Sequence, residues 1–163
     1  MIVHLTAFAL AVGLTLAALG MHYEALRVLS VVPQAARISA RLKTLVVIIG
    51  AIAAHIAEAA AFAVGYWVGE APLHLGRFAG GGQLEASGQL GPLQLFYFSL
   101  EAFTTQGVGD VYPVGPLRLV ASLEPLAGLI LIGWSTSFTF VVMRRYWRLK
   151  SEATVKTPSK GLD

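Results

Sequence analysis

The stretch LQLFYFSLEAFTTQGVGD, residues 93–110, decides how this chain is to be read. Its first dozen residues suit a helix, and Pro92 suits the first turn of one. A helix of that length reaches about 18 Å, too little to cross a hydrocarbon layer of about 30 Å. Behind it, TTQGVGD sets two glycines one residue apart between a pair of threonines and an aspartate. Whether such a loop is a water-exposed turn or lies at membrane depth depends on what flanks it.

The flanks are apolar. Of 163 residues, 56% are hydrophobic and 13% charged, and the mean hydropathy is +0.68. That balance belongs in a bilayer rather than in a soluble domain. With no cysteine, neither a disulfide framework nor a thiolate metal site can form. The pI is near 9.5, but the basic residues sit in short clusters beside the apolar segments. They read as topology signals that meet lipid head groups, and no nucleic-acid partner is expected.

Three segments are long enough to span: Ile2 to Leu19, Leu45 to Val68, and about Leu117 to Met143. A signal peptide is the alternative for the first, but no Lys or Arg precedes its apolar run and no clean cleavage site follows, so a retained helix is expected. Arg27, Arg37, Arg41 and Lys43 lie between the first two segments, and Arg144, Arg145, Arg148 and Lys150 follow the third. The positive-inside rule then predicts a multi-pass cell-membrane protein with its N-terminus outside and its C-terminus cytoplasmic. The link holding Pro33 is expected to lie along the membrane surface as a helix leading into the second span, and the glycine-rich run from Ala71 to Pro92 to be a flexible extracellular loop. Residues 146–163 form a short polar C-terminal tail too poor in apolar residues to fold alone. No enzymatic or ligand-binding domain is expected there.

A short helix between two spans must dip in and come back, and backbone that reverses at membrane depth survives only when buried in protein or facing water. Here a resemblance enters. From Tyr97 to Val114, YFSLEAFTTQGVGDVYPV resembles the pore helix, selectivity filter and outer mouth of tetrameric pore-loop potassium channels, whose filter usually reads T-V-G-Y-G followed by D. With its flanking spans the chain looks like the two-helix ion channel family, carrying an extra N-terminal helix. The resemblance implies an all-α integral membrane fold, assembled as a homotetramer in the lipid bilayer. It divides the chain into residues 1–43, an N-terminal helix and basic linker, and a pore domain, 44–145. Within the latter fall an outer helix 45–69, an extracellular loop 70–91, a pore helix 92–104, a filter 105–110 and an inner helix 117–143. No cofactor is implied beyond permeant K⁺, with Na⁺ as the alternative.

Position by position, Thr105 takes the filter threonine, Gly107 and Gly109 the two glycines, and Asp110 the aspartate above them. The chemistry is steric. An ion shedding water needs a column of oxygens, and neighbouring carbonyls face one axis only if alternate residues reach backbone angles that a Cβ disfavours. K⁺ would then be held by carbonyls of Thr105, Gln106, Gly107 and Val108, with the Thr105 hydroxyl innermost and Thr104 supporting the loop. The C-terminal end of the short helix, partly negative, would favour cations in the cavity beneath. Two residues depart from the pattern. Gln106 replaces an apolar residue, and Val108 replaces an aromatic whose hydroxyl braces the filter in the family. Either the carbonyl column keeps its preference for K⁺ or it loosens and passes Na⁺ as well. Glu101, one turn before Thr105, could share a proton or a water with Asp110, or stand solvated in the outer mouth.

The third span holds Pro125, which removes a helix hydrogen bond and should kink the helix. Gly128 stands where the family often has a hinge glycine, and Gly133 offers a second soft point; for both, close helix packing is the alternative. Ile132 and Thr136, at helical spacing, are candidates to line the cavity, with packing again the alternative. Glu124 is costly against lipid and should face the short helix or another subunit. In the second span His55 and Glu58 share one helix face, expected as a hydrogen-bonded pair with a pH-sensing role as the alternative; two ligands are too few for a metal site. His4, His22 and His74 are expected near membrane edges. The function expected is passive conduction of cations, K⁺ first, with a nonselective cation channel as alternative. A small metal-dependent membrane enzyme and a nonconducting accessory subunit are the readings from other classes.

Overall fold

The computed structural model describes residues 1–35, 37–80 and 90–147. Three long helices dominate: α1 (Ile2–Ala35), α2 (Ala40–Glu70) and α4 (Arg118–Trp147). Each is long and apolar enough to cross a membrane. Between the last two come β1 (Arg77–Gly80), the short helix α3 (Pro92–Phe103), β2 (Val111–Val114) and a 3-10 turn, Gly115–Leu117.

α1 overturns the expected first boundary. It does not stop near Leu19 but runs for 34 residues to Ala35, so the surface helix expected in the link is instead a continuation of α1. Hydropathy falls through MHYEALR while helix propensity does not, and Arg27 donates to Glu24 one turn before it at 2.6 Å. α2 then starts at Ala40, with Ser39 as its cap accepting the Leu42 N–H at 3.3 Å.

α1 and α2 run antiparallel. Leu29 presses on Gly50, Leu14 on Gly65, and Leu10 on Gly69. Small residues admit these leucines and let the helices approach closely. The buried stripe of α1 is Ala7, Ala11, Ala18, His22 and Leu26, stepping at helical spacing. Away from that stripe Leu5 and Leu16 are exposed on the opposite side of α1, as suits a bilayer-facing surface. α4 packs on α1, α2 and α3. Leu95, Ser99 and Phe103 form the buried stripe of α3, which rests on α2 and α4.

The all-α expectation needs one correction. β1 and β2 pair antiparallel, Arg77 opposite Val114 and Gly80 opposite Val111. Part of the expected flexible loop is therefore ordered as a strand, and residues 81–89 of that loop lie outside the described residues. Phe78 anchors the hairpin, packing edge-on against Tyr66 and Phe98 at ring-centroid distances of 5.6 and 5.0 Å. Its N–H donates to the buried Glu70 carboxylate at 3.3 Å. Residues 148–163, most of the expected polar tail, also lie outside the described residues.

Candidate functional site

α3 is 12 residues long. Pro92 opens it, and the Gln94 side chain accepts the N–H of Gly91. At its far end the helix carbonyls are taken up by the chain that follows. Thr104 N–H donates to Leu100 O at 3.0 Å, Thr105 N–H to Ala102 O at 3.0 Å, and Gln106 N–H to Glu101 O at 2.8 Å. The Thr104 hydroxyl adds a bond to Leu100 O at 2.7 Å. The loop is thus fastened through its amides, leaving its own carbonyls for other partners.

Backbone angles in the loop alternate. φ is +61° at Thr105, +55° at Gly107 and +80° at Gly109, and it is not positive at Gln106 or Val108. A Cβ on Gly107 would meet nothing within 4 Å, and on Gly109 only Gly107 O at 3.9 Å. Conformation, not space, is the reason for glycine at both positions. Thr105 holds the same left-handed region with a side chain, an uncommon state for a β-branched residue. Every residue from Thr104 to Asp110 is exposed.

Behind the loop, Glu101 and Asp110 line one cavity of about 270 Å³ together with Gln94, Tyr97, Phe98, Leu100 and Val111. No direct hydrogen bond joins the two carboxylates among the described residues, but they share the same space.

α4 places its candidates unequally. Gly128 is buried, and a Cβ there would strike the carbonyl oxygen of Phe103, the last residue of α3. Close packing alone therefore explains this glycine. Gly133 is exposed, with nothing within 4 Å of an added Cβ. Thr136 is exposed and its hydroxyl donates to Ile132 O at 2.8 Å, while Ile132 packs partly into the core. Pro125 sits inside the unbroken helix, where it has no N–H to offer the preceding turn.

Glu124 faces the short helix, as its cost in lipid led one to expect. It is fully buried, with the hydroxyls of Tyr66 from α2 and Ser99 from α3 donating to its carboxylate. The Ser99 oxygen also lies 2.6 Å from Ala59 O. One carboxylate thus ties α2, α3 and α4 together.

His55 and Glu58 do form the expected pair, Nδ1 to Oε2 at 2.9 Å. His22 was misplaced by the sequence reading. It is no edge residue: it is fully buried on α1, with Nδ1 2.8 Å from Glu58 Oε1. The signal that could have found it is the spacing of Ala7, Ala11 and Ala18, which puts position 22 on the same buried stripe. His4 and His74 are exposed.

Three apolar helices and a fourth too short to cross, ending in a loop of alternating handedness, describe an integral membrane protein. A family model described as an ion channel matches residues 42–145. The chain belongs to this two-helix ion channel family, and α1 precedes the matched region as an additional helix. None of the curated proteins and none of the solved structures compared matches the chain.

Proposed function

We propose that this protein is a passive cation channel that prefers K⁺, conducting through a ring of TQGVGD loops contributed by four copies of the chain. The alternation of φ at Thr105, Gly107 and Gly109 carries the reading. Alternating handedness turns successive peptide planes so that neighbouring carbonyls point to one side, which suits replacement of an ion's water shell. In this reading α3 is the pore helix and residues 105–110 are the filter, with K⁺ held by the carbonyls of Thr105, Gln106, Gly107 and Val108. One chain supplies one strand of that ring, and closed symmetry supplies the others. The step is electrodiffusion, with no bond made or broken. The basic residues around the junction of α1 and α2 and at the end of α4 favour a cytoplasmic C-terminus and an outer loop face.

A nonselective pore is the second reading, favoured by one observation. Val108 is 56% exposed and has no polar atom with which to brace the loop. The reversal potential of purified channels in a planar bilayer, K⁺ on one side and Na⁺ on the other, separates the two. A large shift toward the K⁺ equilibrium potential supports selectivity; a value near zero with robust current supports the general cation pore. Absence of any current from the purified chain would point to an accessory subunit. Glu101 and Asp110 line one cavity beside the loop, and Glu101→Gln tests whether that pair takes part in conduction: a changed single-channel current or open probability supports it, and unchanged conduction removes the pair from the mechanism.

A further inference from the structure

Away from the loop, one polar cluster is enclosed by the long helices. Glu58 of α2 is fully buried, with one carboxylate oxygen 2.8 Å from His22 Nδ1 and the other 2.9 Å from His55 Nδ1. The two imidazoles stack at 5.1 Å between centroids. Ser135 Oγ of α4 lies 3.3 Å from His22 Nε2. One ligating atom from each of His22, His55 and Glu58 falls within 4.8 Å of the others.

A carboxylate held among apolar helices is costly unless hydrogen bonds or a positive charge compensate it. Among the described residues its only ion-pair partners are the two histidines. Neutral imidazoles supply hydrogen bonds but no charge, whereas a divalent cation supplies both charge and coordination. Two imidazole nitrogens with one carboxylate oxygen form a donor set taken by zinc and its neighbours in the transition series. Calcium and magnesium prefer all-oxygen surroundings.

The geometry suits that class. Both nitrogens aimed at the carboxylate are Nδ1, one on each of its oxygens. With the ring protons on Nε2, both Nδ1 lone pairs are free for a metal. His22 Nε2–H can then donate to Ser135 Oγ, an outer hydrogen bond of the kind that orients metal-bound imidazoles. The change is one of tautomer and releases no net proton from neutral histidine. Ligands about 2.0 Å from a tetrahedral ion stand roughly 3.3 Å apart, inside the 4.8 Å that bounds the separations of the three ligand atoms. The His55 side chain is 18% exposed while His22 and Glu58 are closed, which puts the entrance at His55.

We propose that His22, His55 and Glu58 bind one divalent transition-metal ion of the zinc type, fastening α1 to α2. The site stands apart from the proposed filter and needs no conduction to be tested. Its surroundings reach α3 and α4: the His55 ring is 5.7 Å from that of Phe103, where α3 ends, and the His22 ring is 5.4 Å from that of Trp134 in α4.

The test is a Co²⁺ titration of the full chain in lipid nanodiscs, with any purification tag removed, followed by Zn²⁺ displacement. The expected result is one Co²⁺ per chain with intense visible d–d bands, abolished by Zn²⁺ and lost in His22→Gln. The paired control His4→Asn with His74→Asn keeps the bands. Ser135→Ala weakens binding about tenfold, as loss of an outer-shell partner does. Zn²⁺ raises the Tm of the wild type and leaves that of His22→Gln unmoved. Should His22→Gln fail to fold, His55→Gln at the partly open position gives the same reading. A wild type without d–d bands, or bands that survive in His55→Gln, overturns the proposal and leaves a hydrogen-bonded cluster closed to metal.

Discussion

The loop from Thr104 to Asp110 and the carboxylates of the helix interior solve opposite problems. Glu58 and Glu124 are both fully buried, and each is met by two side chains drawn from other turns or other helices. No buried side-chain nitrogen or oxygen among the described residues lacks a hydrogen-bond partner. The loop, by contrast, is exposed throughout and spends its first amides, Thr104 to Gly107, on carbonyls of α3. A single chain thus satisfies the hydrogen bonds of these interior groups by itself. The loop's alternation of φ gains a use only where carbonyls from several copies converge, under the assembly proposed above.

That contrast predicts its own largest effect. Gly107→Ala places a Cβ where φ is +55°, and Gly109→Ala where φ is +80°. Each costs about 1–2 kcal/mol of local strain, incurred in every copy around the proposed ring. Cation flux into proteoliposomes should fall to background, while the melting of the helices barely changes because an added Cβ on either residue touches no other element. Flux that persists in both variants breaks the comparison, because the loop would then have no need of its alternation.

Effects inside one chain should be intermediate and independent of assembly. Gly128→Ala drives a methyl group into the Phe103 carbonyl oxygen, a backbone atom that cannot swing aside. A loss of about 1–3 kcal/mol is expected from overpacking, read as a lower Tm of the purified protein. Should Gly128→Ala alter gating with stability unchanged, the glycine is a hinge after all. Tyr66→Phe deletes one of the two hydroxyls serving Glu124 and should cost about 1–3 kcal/mol, with the same measurement. An unchanged Tm would mean that water takes the place of the hydroxyl at that carboxylate.

How much of this was legible depended on whether the cause was local. Pro92 and the run of a dozen helix formers marked α3 to within one residue at its end, because capping and length are written in consecutive residues. The glycines of TTQGVGD were legible for the same reason: their requirement is set by their own φ. The end of α1 was not, since Glu24 and Arg27 lower hydropathy without lowering helix propensity and so imitate a boundary. β1 was hidden because RFAG becomes a strand only by pairing with VYPV across α3, and no local pattern announces a non-local ladder. His22 was missed through the same false boundary. Once α1 is carried past Leu19, its buried stripe delivers that histidine to Glu58.

The smallest effect sharpens the comparison most. Gly133 is exposed in the single chain, and a Cβ there would meet nothing within 4 Å, so Gly133→Ala should leave the chain's own stability unchanged or raise it by up to about 1 kcal/mol through helix propensity. Its neighbours on the same side, Thr136 and Ser137, return their hydroxyls to carbonyls of their own helix at 2.8 and 3.0 Å, which leaves a surface that a second helix can approach. Oligomer dissociation in detergent, measured alongside Tm, distinguishes two roles for this face. If Gly133→Ala weakens the assembly while the monomer melts as before, the α4 face carrying Gly133 is a contact between copies, and the outward-looking half of the molecule includes more than the loop. If neither changes, that face makes no contact between copies, which leaves Thr136 available as a cavity-lining candidate and Gly133 as a bending point free of the packing that holds Gly128 against Phe103.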